Sequence, residues 1–544
     1  MALSLAFLAV LCSIKVLAQP QSALRGLGEP ASPSSMADPM MTTSPSRDGA
    51  PAQALNPTPP SRDGAHAPAL NPTTPTAPTD INNPLMLRNS IEQNVISKPF
   101  TLLSAVEYAE ENYPAIMKSI AQNTAAKRDV TVQKLNEYLP DSLFQFQELM
   151  ASHNKLSQVF FGSPVFPAVA GAGQANNVTM DPIFYSGAGA SLDWAPIDFG
   201  LHKARINLTK SQYGQTTAQL EVTRFDVSVA VANAFLDVVE SLEQVRAAEE
   251  NVASFSQFRT VVEAQVNANL KPGADASLAE AQLANATNQL LRVRLQREIT
   301  LASLANSLGA GGKEISIDPT GLANDNQPAQ LQNQKPTFEN VPVLKSSKAA
   351  VLSSLLQRKV LDKEYFPVFH FLGGFSTRGS GLGLDGKHDQ ALGGNGVIPV
   401  IPNYQVALIV NWNFLDYYRL KAEKKVQDQR VIAQQQDYNL VLQNLRTEDV
   451  KSRARVKTAV QIAANMPVQV HAAVVAVNQA EARYRTGLGS VAQVAEANQV
   501  LAQSRMQEAV AQVGVWRALL SVASVHGDLK PFLSEAQRIQ SKGM

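Results

Sequence analysis

Three features carry residue types that elsewhere do chemistry. GAGGKE at 309–314 has the glycines and lysine of a phosphate-cradling loop, but Glu314 stands where Ser or Thr is required, and the first glycine of the pattern is absent. GSGLGLDGKHDQALGGNG at 379–396 is rich in glycine, yet no helix pattern follows to receive a phosphate, so it reads as an exposed loop. The 7 histidines are scattered, with neither HExxH nor i, i+4 pairing of the kind zinc uses. No nucleophile, base and orienter come together in the sequence either. The expectation is therefore no catalytic residue, no metal and no cofactor: not an enzyme.

The remaining signals concern architecture. The chain has 544 residues, too many for one ordinary core. Charged residues are 17%, below the roughly 25% usual for soluble domains, which suits long helices with shallow contacts. Forty-seven Lys plus Arg against 46 Asp plus Glu leave a net charge of +1, which argues against nucleic acid as a partner. The single cysteine, Cys12, lies in the apolar segment MALSLAFLAVLCSIKVLAQ, and the rest of the chain can form neither a disulfide nor a thiolate metal site. Residues 1–18 read as a secretory signal, with Val16 and Ala18 as the small-residue cleavage pattern. Leu11 stands where lipoprotein signals carry Gly or Ala, which argues against lipidation of Cys12. Beyond residue 20 no unbroken apolar run reaches the ~18 residues of a membrane helix, so an integral exported protein would have to use a β-barrel.

Residues 19–99 are a Pro, Ser and Thr rich linker in which SRDGA and ALNPT each occur twice. After it the chain repeats itself. NYPAI at 112–116 answers NVPVL at 340–344, EYLP at 137–140 answers EYFP at 364–367, WAPIDFGLHKA at 194–204 answers WNFLDYYRLKA at 412–422, and LAEAQLANA at 278–286 answers VAEANQVLA at 494–502. The first repeat spans 100–308 and the second 341–524, joined by a linker at 309–340 and followed by a tail at 525–544.

Each repeat has one plan. Pro140 and Pro367 force the preceding residue out of helix, and two alternating segments follow, expected as strands at about 139–150 and 186–196, then 366–377 and 404–415. In YQVALIVNWNF the residues Val406, Leu408, Val410, Trp412 and Phe414 share one face and Gln405, Asn411 and Asn413 the other, as in a wall between lipid and water. Trp194 and Trp412, four residues before Asp198 and Asp416, are candidate aromatics of the membrane edge. Asp198 and Asp416 stand at the N-cap position of long helices at about 200–268 and 418–486. Within the first, Phe235, Val238, Leu242, Val245, Val252 and Phe255 keep a coiled-coil spacing. Met466-Pro467 is expected to interrupt the second. Asn269 and Gly487 tolerate the left-handed turn that ends a helix, and returning helices follow at about 275–307 and 491–523.

This ordered, duplicated set resembles the TolC-like outer-membrane efflux proteins over roughly residues 100–524. KPGADASLAEAQL and YRTGLGSVAQVAEA are similar to the two helix-tip sequences of that family. The resemblance implies a mainly helical fold with membrane β: a homotrimer whose twelve strands close an outer-membrane barrel that continues as a helical cylinder through the periplasm. Four strands in one chain cannot close a membrane barrel, which points to oligomerisation independently. The resemblance further implies a passive duct in contact with outer-membrane lipid, served by a periplasmic adaptor and an inner-membrane pump in efflux or type I secretion. It places adaptor contacts at Asn269, Leu270, Lys271, Gly487, Leu488, Gly489 and Ser490. It also suggests an entrance ring of carboxylates from Asp275, Glu280 and Glu496, with Gln493 departing from the acidic pattern. The competing expectation is a trimeric structural stalk without transport; strand pairs in both repeats speak against it.

Overall fold

In each repeat a proline turns the chain from helix into strand, and a short polar turn returns it to helix, so strand hairpins and helix hairpins sit end to end. The computed structural model describes residues 98–152, 182–319, 322, 338–381 and 394–542, all within the unit spanning 88–544. The signal segment with Cys12, most of the low-complexity linker, the centre of the glycine-rich loop and much of the inter-repeat linker lie outside the described residues.

The chain order is α1 (Leu102–Asn112), α2 (Pro114–Tyr138), β1 (Asp141–Ser152), β2 (Pro182–Ile197), α3 (Leu201–Asn267), α4 (Gly273–Ser307), α5 (Pro342–Lys363), β3 (Val368–Ser380), β4 (Ile401–Asn411), α6 (Tyr417–Arg485), α7 (Val491–His526) and α8 (Lys530–Lys542). The 67 residues of α3 and 69 of α6 make helices of ~100 Å at 1.5 Å per residue. No helix of that length is stable by propensity alone; packing must hold it.

The strands form one antiparallel sheet in the order β1-β2-β3-β4. Helices repeat that lateral order. Near the sheet they lie as α2, α3, α5, α6, and toward the far end as α4, α3, α7, α6. The end of α4 abuts the start of α2, where a Cβ on Gly309 would sit 3.0 Å from the Asn112 carbonyl oxygen, and the end of α7 abuts the start of α5, where a Cβ on Gly527 would sit 2.7 Å from the Val341 Cα. Among the described residues both layers therefore end in the same two open edges: α2, α4 and β1 on one side, α6 and β4 on the other.

The main core lies at the level of these junctions. Val231, Phe235, Leu236, Val238 and Val239 of α3 pack there with Leu304, Leu308, Trp516, Leu519, Leu520 and, from α8, Phe532 and Ile539. Of the coiled-coil stripe, Phe235, Val238, Val245 and Phe255 are buried, and Leu242 and Val252 pack partly buried against neighbouring clusters.

Several expectations need correction. β4 ends at Asn411, because Phe414–Asp416 winds into a 3-10 turn that leads α6. Asp416 precedes α6 but does not cap it: its backbone is already helical and its side chain pairs with Arg419 at 2.8 Å instead. Pro467 lies inside an unbroken α6; it removes one backbone donor without ending the helix, which neighbours support along its length. The tail contains α8, an amphipathic helix whose Phe532, Ala536 and Ile539 are buried. The register of the two returning helices is also revised. α4 starts after Pro272 and α7 after Ser490, and they end with matching left-handed residues, Gly309 and Gly527. Each pair differs by 218, so the 216-residue match of LAEAQLANA to VAEANQVLA is two residues out of structural register. By mean hydropathy rather than unbroken apolar runs, segments of Phe414–Arg485 and Val491–His526 could cross a membrane by length and composition. Both belong to the packed helical layer, where Ala and Val replace charge.

Candidate functional site

The sheet register sorts side chains onto two faces. Phe144 pairs with Ala190, Ala190 with Phe375 and Phe375 with Tyr404, so these share a face with Phe146, Met150, Leu192, Trp194, Phe371, Val406, Leu408 and Val410. Almost all of those side chains are exposed, Tyr404 at 86% and Val406 at 84%, and a continuous exposed apolar face of this extent requires a non-aqueous neighbour. The opposite face carries Gln145, Gln147, Ser191, Asp193, His370, Ser376, Arg378, Asn403, Gln405 and Asn411, interspersed with Leu143, Leu149, Leu372 and Ile409, while Glu148 is a charged residue on the mostly apolar face. An apolar outside against a polar inside is the pattern of a membrane barrel wall.

At the end of the sheet nearest the helices, both repeats build one junction. The Trp194 indole N–H donates to the Tyr138 carbonyl at 3.2 Å, and the Trp412 indole N–H to the Tyr365 carbonyl at 3.1 Å. Each tryptophan thus ties a strand end to the helix end entering the neighbouring strand, with half of its ring exposed. Tyr365, Trp412, Phe414 and Tyr417 add edge-to-face ring contacts at 5.7 to 6.3 Å. Asp198 does its capping two residues before the cap position, accepting from the Gly200 N–H at 3.1 Å and from the His202 N–H. His202 in turn lies 3.3 Å from Glu137 of α2.

At the other end the two helix hairpins turn in the same way. Asn269 and Gly487 have φ of 58° and 81°. The next amide, Leu270 or Leu488, donates five residues back, to Gln265 at 2.9 Å and to Arg483 at 2.8 Å, and the left-handed residue makes the shorter bond of a Schellman turn. Leu270 is 73% and Leu488 74% exposed, so each tip presents a leucine outward. The chain re-enters helix by different means: Pro272 leads α4, whereas Ser490 and Gln493 form a reciprocal capping box at α7. Gly489 sits close over Arg483 and Tyr484.

The tips pack on each other through Phe258, Val262, Ala279, Tyr484, Val491 and Val494. Tyr484, fully buried, contacts Phe258 edge to face at 5.4 Å, donates its hydroxyl to Asp275 at 3.3 Å, and lies under the Lys271 ammonium at 4.9 Å. Burial, reinforced by the Asp275 charge and hydrogen bond, pushes its phenol up to about 12. Asp275 is therefore engaged with the second hairpin. Glu280 and Glu496 are exposed, and no ion pair involves either among the described residues. Glu280 has Asn498 as its structural counterpart, a buried residue that accepts from Ser254 at 2.7 Å. Gln493 spends its side chain on the Ser490 amide.

Sequence reasoning passed over Tyr484 and the pairing of His370 with Asp193 at 2.9 Å across β3 and β2. The first had a signal, being an aromatic one residue before the end of α6. The second needed the cross-strand register, which no local pattern contains. Among the described residues no three His, Cys, Asp or Glu side chains are placed to hold a metal.

The sequence matches the outer membrane efflux protein family over residues 163–310 and 337–528. No curated protein matches. Among solved structures, the Campylobacter jejuni CmeC outer membrane channel is 14% identical with TM-score 0.60, over 87% of this chain and 98% of that one. The outer membrane protein VceC of Vibrio cholerae is 15% identical with TM-score 0.61, over 78% and 96%. The open state of the Neisseria gonorrhoeae MtrE channel is 14% identical with TM-score 0.59, over 79% and 89%.

Proposed function

The chain belongs to the outer membrane efflux protein family, and from that premise we propose that three copies close edge to edge into one passive exit duct. Membership makes it a non-enzymatic outer-membrane channel with a periplasmic helical domain, of a family whose trimers work with adaptor and pump partners. The observation that carries the closure is the shared open edge. Among the described residues β1 and β4 each lack a partner on one side, on a sheet whose exposed face is largely apolar, and lipid tolerates no unpaired strand edge. β4 of one copy then pairs with β1 of the next, and α6 packs on the next copy's α2 and α4. Exposed apolar residues on those helices fit this seam: Val132 and Leu135, Leu291 and Leu295, Val450 and Val468.

In this reading Trp194 and Trp412 mark the periplasmic edge of the membrane, and the tips, with Asn269, Leu270, Lys271, Gly487, Leu488, Gly489 and Ser490, meet the adaptor. Glu280 and Glu496, three copies each, line the entrance, while the Tyr484–Asp275 bond holds the two hairpins of one copy together. In this reading the duct is passive and the energy for export comes from the inner-membrane pump. The mass of the purified particle in detergent tests the closure: three chains per particle supports it, and a monodisperse, folded single chain refutes it.

A further inference from the structure

Ring contacts at 5.7 to 6.3 Å join Phe369, Phe199, Phe366, Tyr365, Trp412 and Tyr417 into one aromatic cluster at the helix end of the sheet. Phe369 pairs with Val410, so the cluster continues the apolar sheet face, and Phe366, Trp412 and Tyr417 remain exposed. Two ammonium groups rest on its rim: Lys363 lies 5.3 Å from the centre of the Phe366 ring and Lys421 5.8 Å from that of Tyr417. Lys359 and Lys425 stand one helical turn further from the sheet, each below one of these. Among the described residues none of the four lysines forms an ion pair.

The backbone turns all four to one side. α5 and α6 run antiparallel and meet through Arg358 with Asp428 at 2.8 Å and Asp362 with Lys424 at 3.1 Å; Leu420, buried and one turn before Lys424, continues that contact face. Lys359, Lys363, Lys421 and Lys425 each follow one of the contact residues Arg358, Asp362, Leu420 and Lys424 by a single position. One position turns a helix by ~100°, and on antiparallel neighbours the two turns lead to the same side of the layer. The first repeat builds no such patch: its matching residues are Val132, Asn136, Lys203 and Asn207. The shared architecture therefore does not require these lysines.

We propose that Lys359, Lys363, Lys421 and Lys425 form a binding surface for the anionic headgroup of a phospholipid in the leaflet facing the periplasm. The proposal rests on the reading of the chain as an inserted trimeric duct with Trp412 at the periplasmic edge of the membrane. A headgroup layer is about 5–7 Å thick on each side of the bilayer. Lys421 lies one turn, ~6 Å, beyond Tyr417, and the long stems of Lys359 and Lys425 let their ammonium groups reach back toward the same depth. Rings at the apolar boundary with cations just beyond them match a lipid whose phosphate lies just outside its acyl chains. Continuity with a face that already lies in lipid selects this partner over an acidic protein.

Tryptophan fluorescence in vesicles tests this, because Trp412 belongs to the cluster, Trp194 marks the same place in the repeat without the patch, and Trp516 is buried in the core. The Trp194→Phe protein reports on Trp412 and the Trp412→Phe protein on Trp194. Each is reconstituted into phosphatidylcholine vesicles in which either brominated phosphatidylglycerol or brominated phosphatidylcholine is the quencher. A lysine near an anionic surface strengthens binding about fivefold, so at low salt Trp412 should favour brominated phosphatidylglycerol at least threefold, and Trp194 much less. In 1 M salt, where the Debye length is ~3 Å, most of the preference should vanish. Exchange of all four lysines for Gln should remove it; Lys421→Gln with Lys425→Gln serves if the fourfold variant does not insert, and should at least halve it. A preference that survives these exchanges, or is equal at Trp194, overturns the proposal. So does its loss to millimolar inorganic phosphate but not to chloride of the same ionic strength, which would mark a site for free phosphate. Inserted trimers without any preference defeat this proposal alone, whereas protein that never inserts as a trimer defeats the duct.

Discussion

Replacing one buried ionic cluster by the residues that the other repeat uses should leave stability almost unchanged, whereas removing one member should not. Asp449 of α6 is 7% exposed; it accepts from the Arg453 Nε at 2.9 and 3.0 Å and lies 2.8 Å from the His526 Nε2 at the end of α7. Exactly one repeat earlier, 218 residues, stand Val231, Phe235 and Leu308, all fully buried in the core. The same junction is thus held by apolar contact in one repeat and by charge in the other. Breaking a buried pair by removing one partner costs about 3–5 kcal/mol; the Arg453 side chain is 36% exposed and can turn to water, so about 2 kcal/mol is expected for Asp449→Ala. Asp449→Val with His526→Leu removes both buried polar partners, and should lie within about 1 kcal/mol of wild type or above it, since apolar replacement of buried ion pairs is often neutral or stabilising. Thermal unfolding followed at 222 nm in detergent reads the order. If the double variant melts below the single, the two junctions are not interchangeable and the repeat correspondence carries no energetic meaning.

At the tips, Tyr484→Phe removes the bond to Asp275 and with it an alkaline transition. Because the folded phenol is raised to about 12, its stabilisation is complete below pH 10 and is lost as pH rises toward 12, amounting by pH 11 to ~1.4 kcal/mol that wild type should lose and the variant should not. Urea unfolding of the two proteins at pH 8 and pH 11 checks this. Gly487→Ala forces a side chain into a left-handed turn and should cost about 1 kcal/mol, whereas Asn269→Gly should be within a few tenths; hydrogen exchange at the tip amides reads both. Trp412→Phe keeps the ring but loses the N–H to Tyr365, and should lower the temperature at which detergent-solubilised particles dissociate more than Tyr404→Phe does, since Tyr404 is exposed on the outer sheet face.

Much of this architecture was legible because repetition made weak signals add. EYLP and EYFP marked the helix-to-strand turns, and Asn269 with Gly487 marked the tips, since few residue types accept a positive φ. The strands announced themselves where lipid and water alternate, as in Val406 to Val410. Other features were not legible for physical reasons. Alanine-rich helices look alike at several offsets, so composition placed α4 against α7 two residues out, and only the backbone turns at Gly309 and Gly527 set the register. Pro467 was misjudged because local propensity predicts a break that neighbouring helices suppress. Asp416 has the residue type of a cap but finds Arg419 a better partner three residues on. The pairing of His370 with Asp193 on the mostly polar sheet face joins residues 177 apart and depends wholly on strand order.

The central claim is that three chains of this protein make one conducting duct through the outer membrane. Purified protein inserted into a planar bilayer tests it most directly: the account predicts discrete conductance steps from particles of three chains, lost when the chains are kept apart. Particles verified as inserted trimers that carry no current, or current carried by single chains, would contradict it.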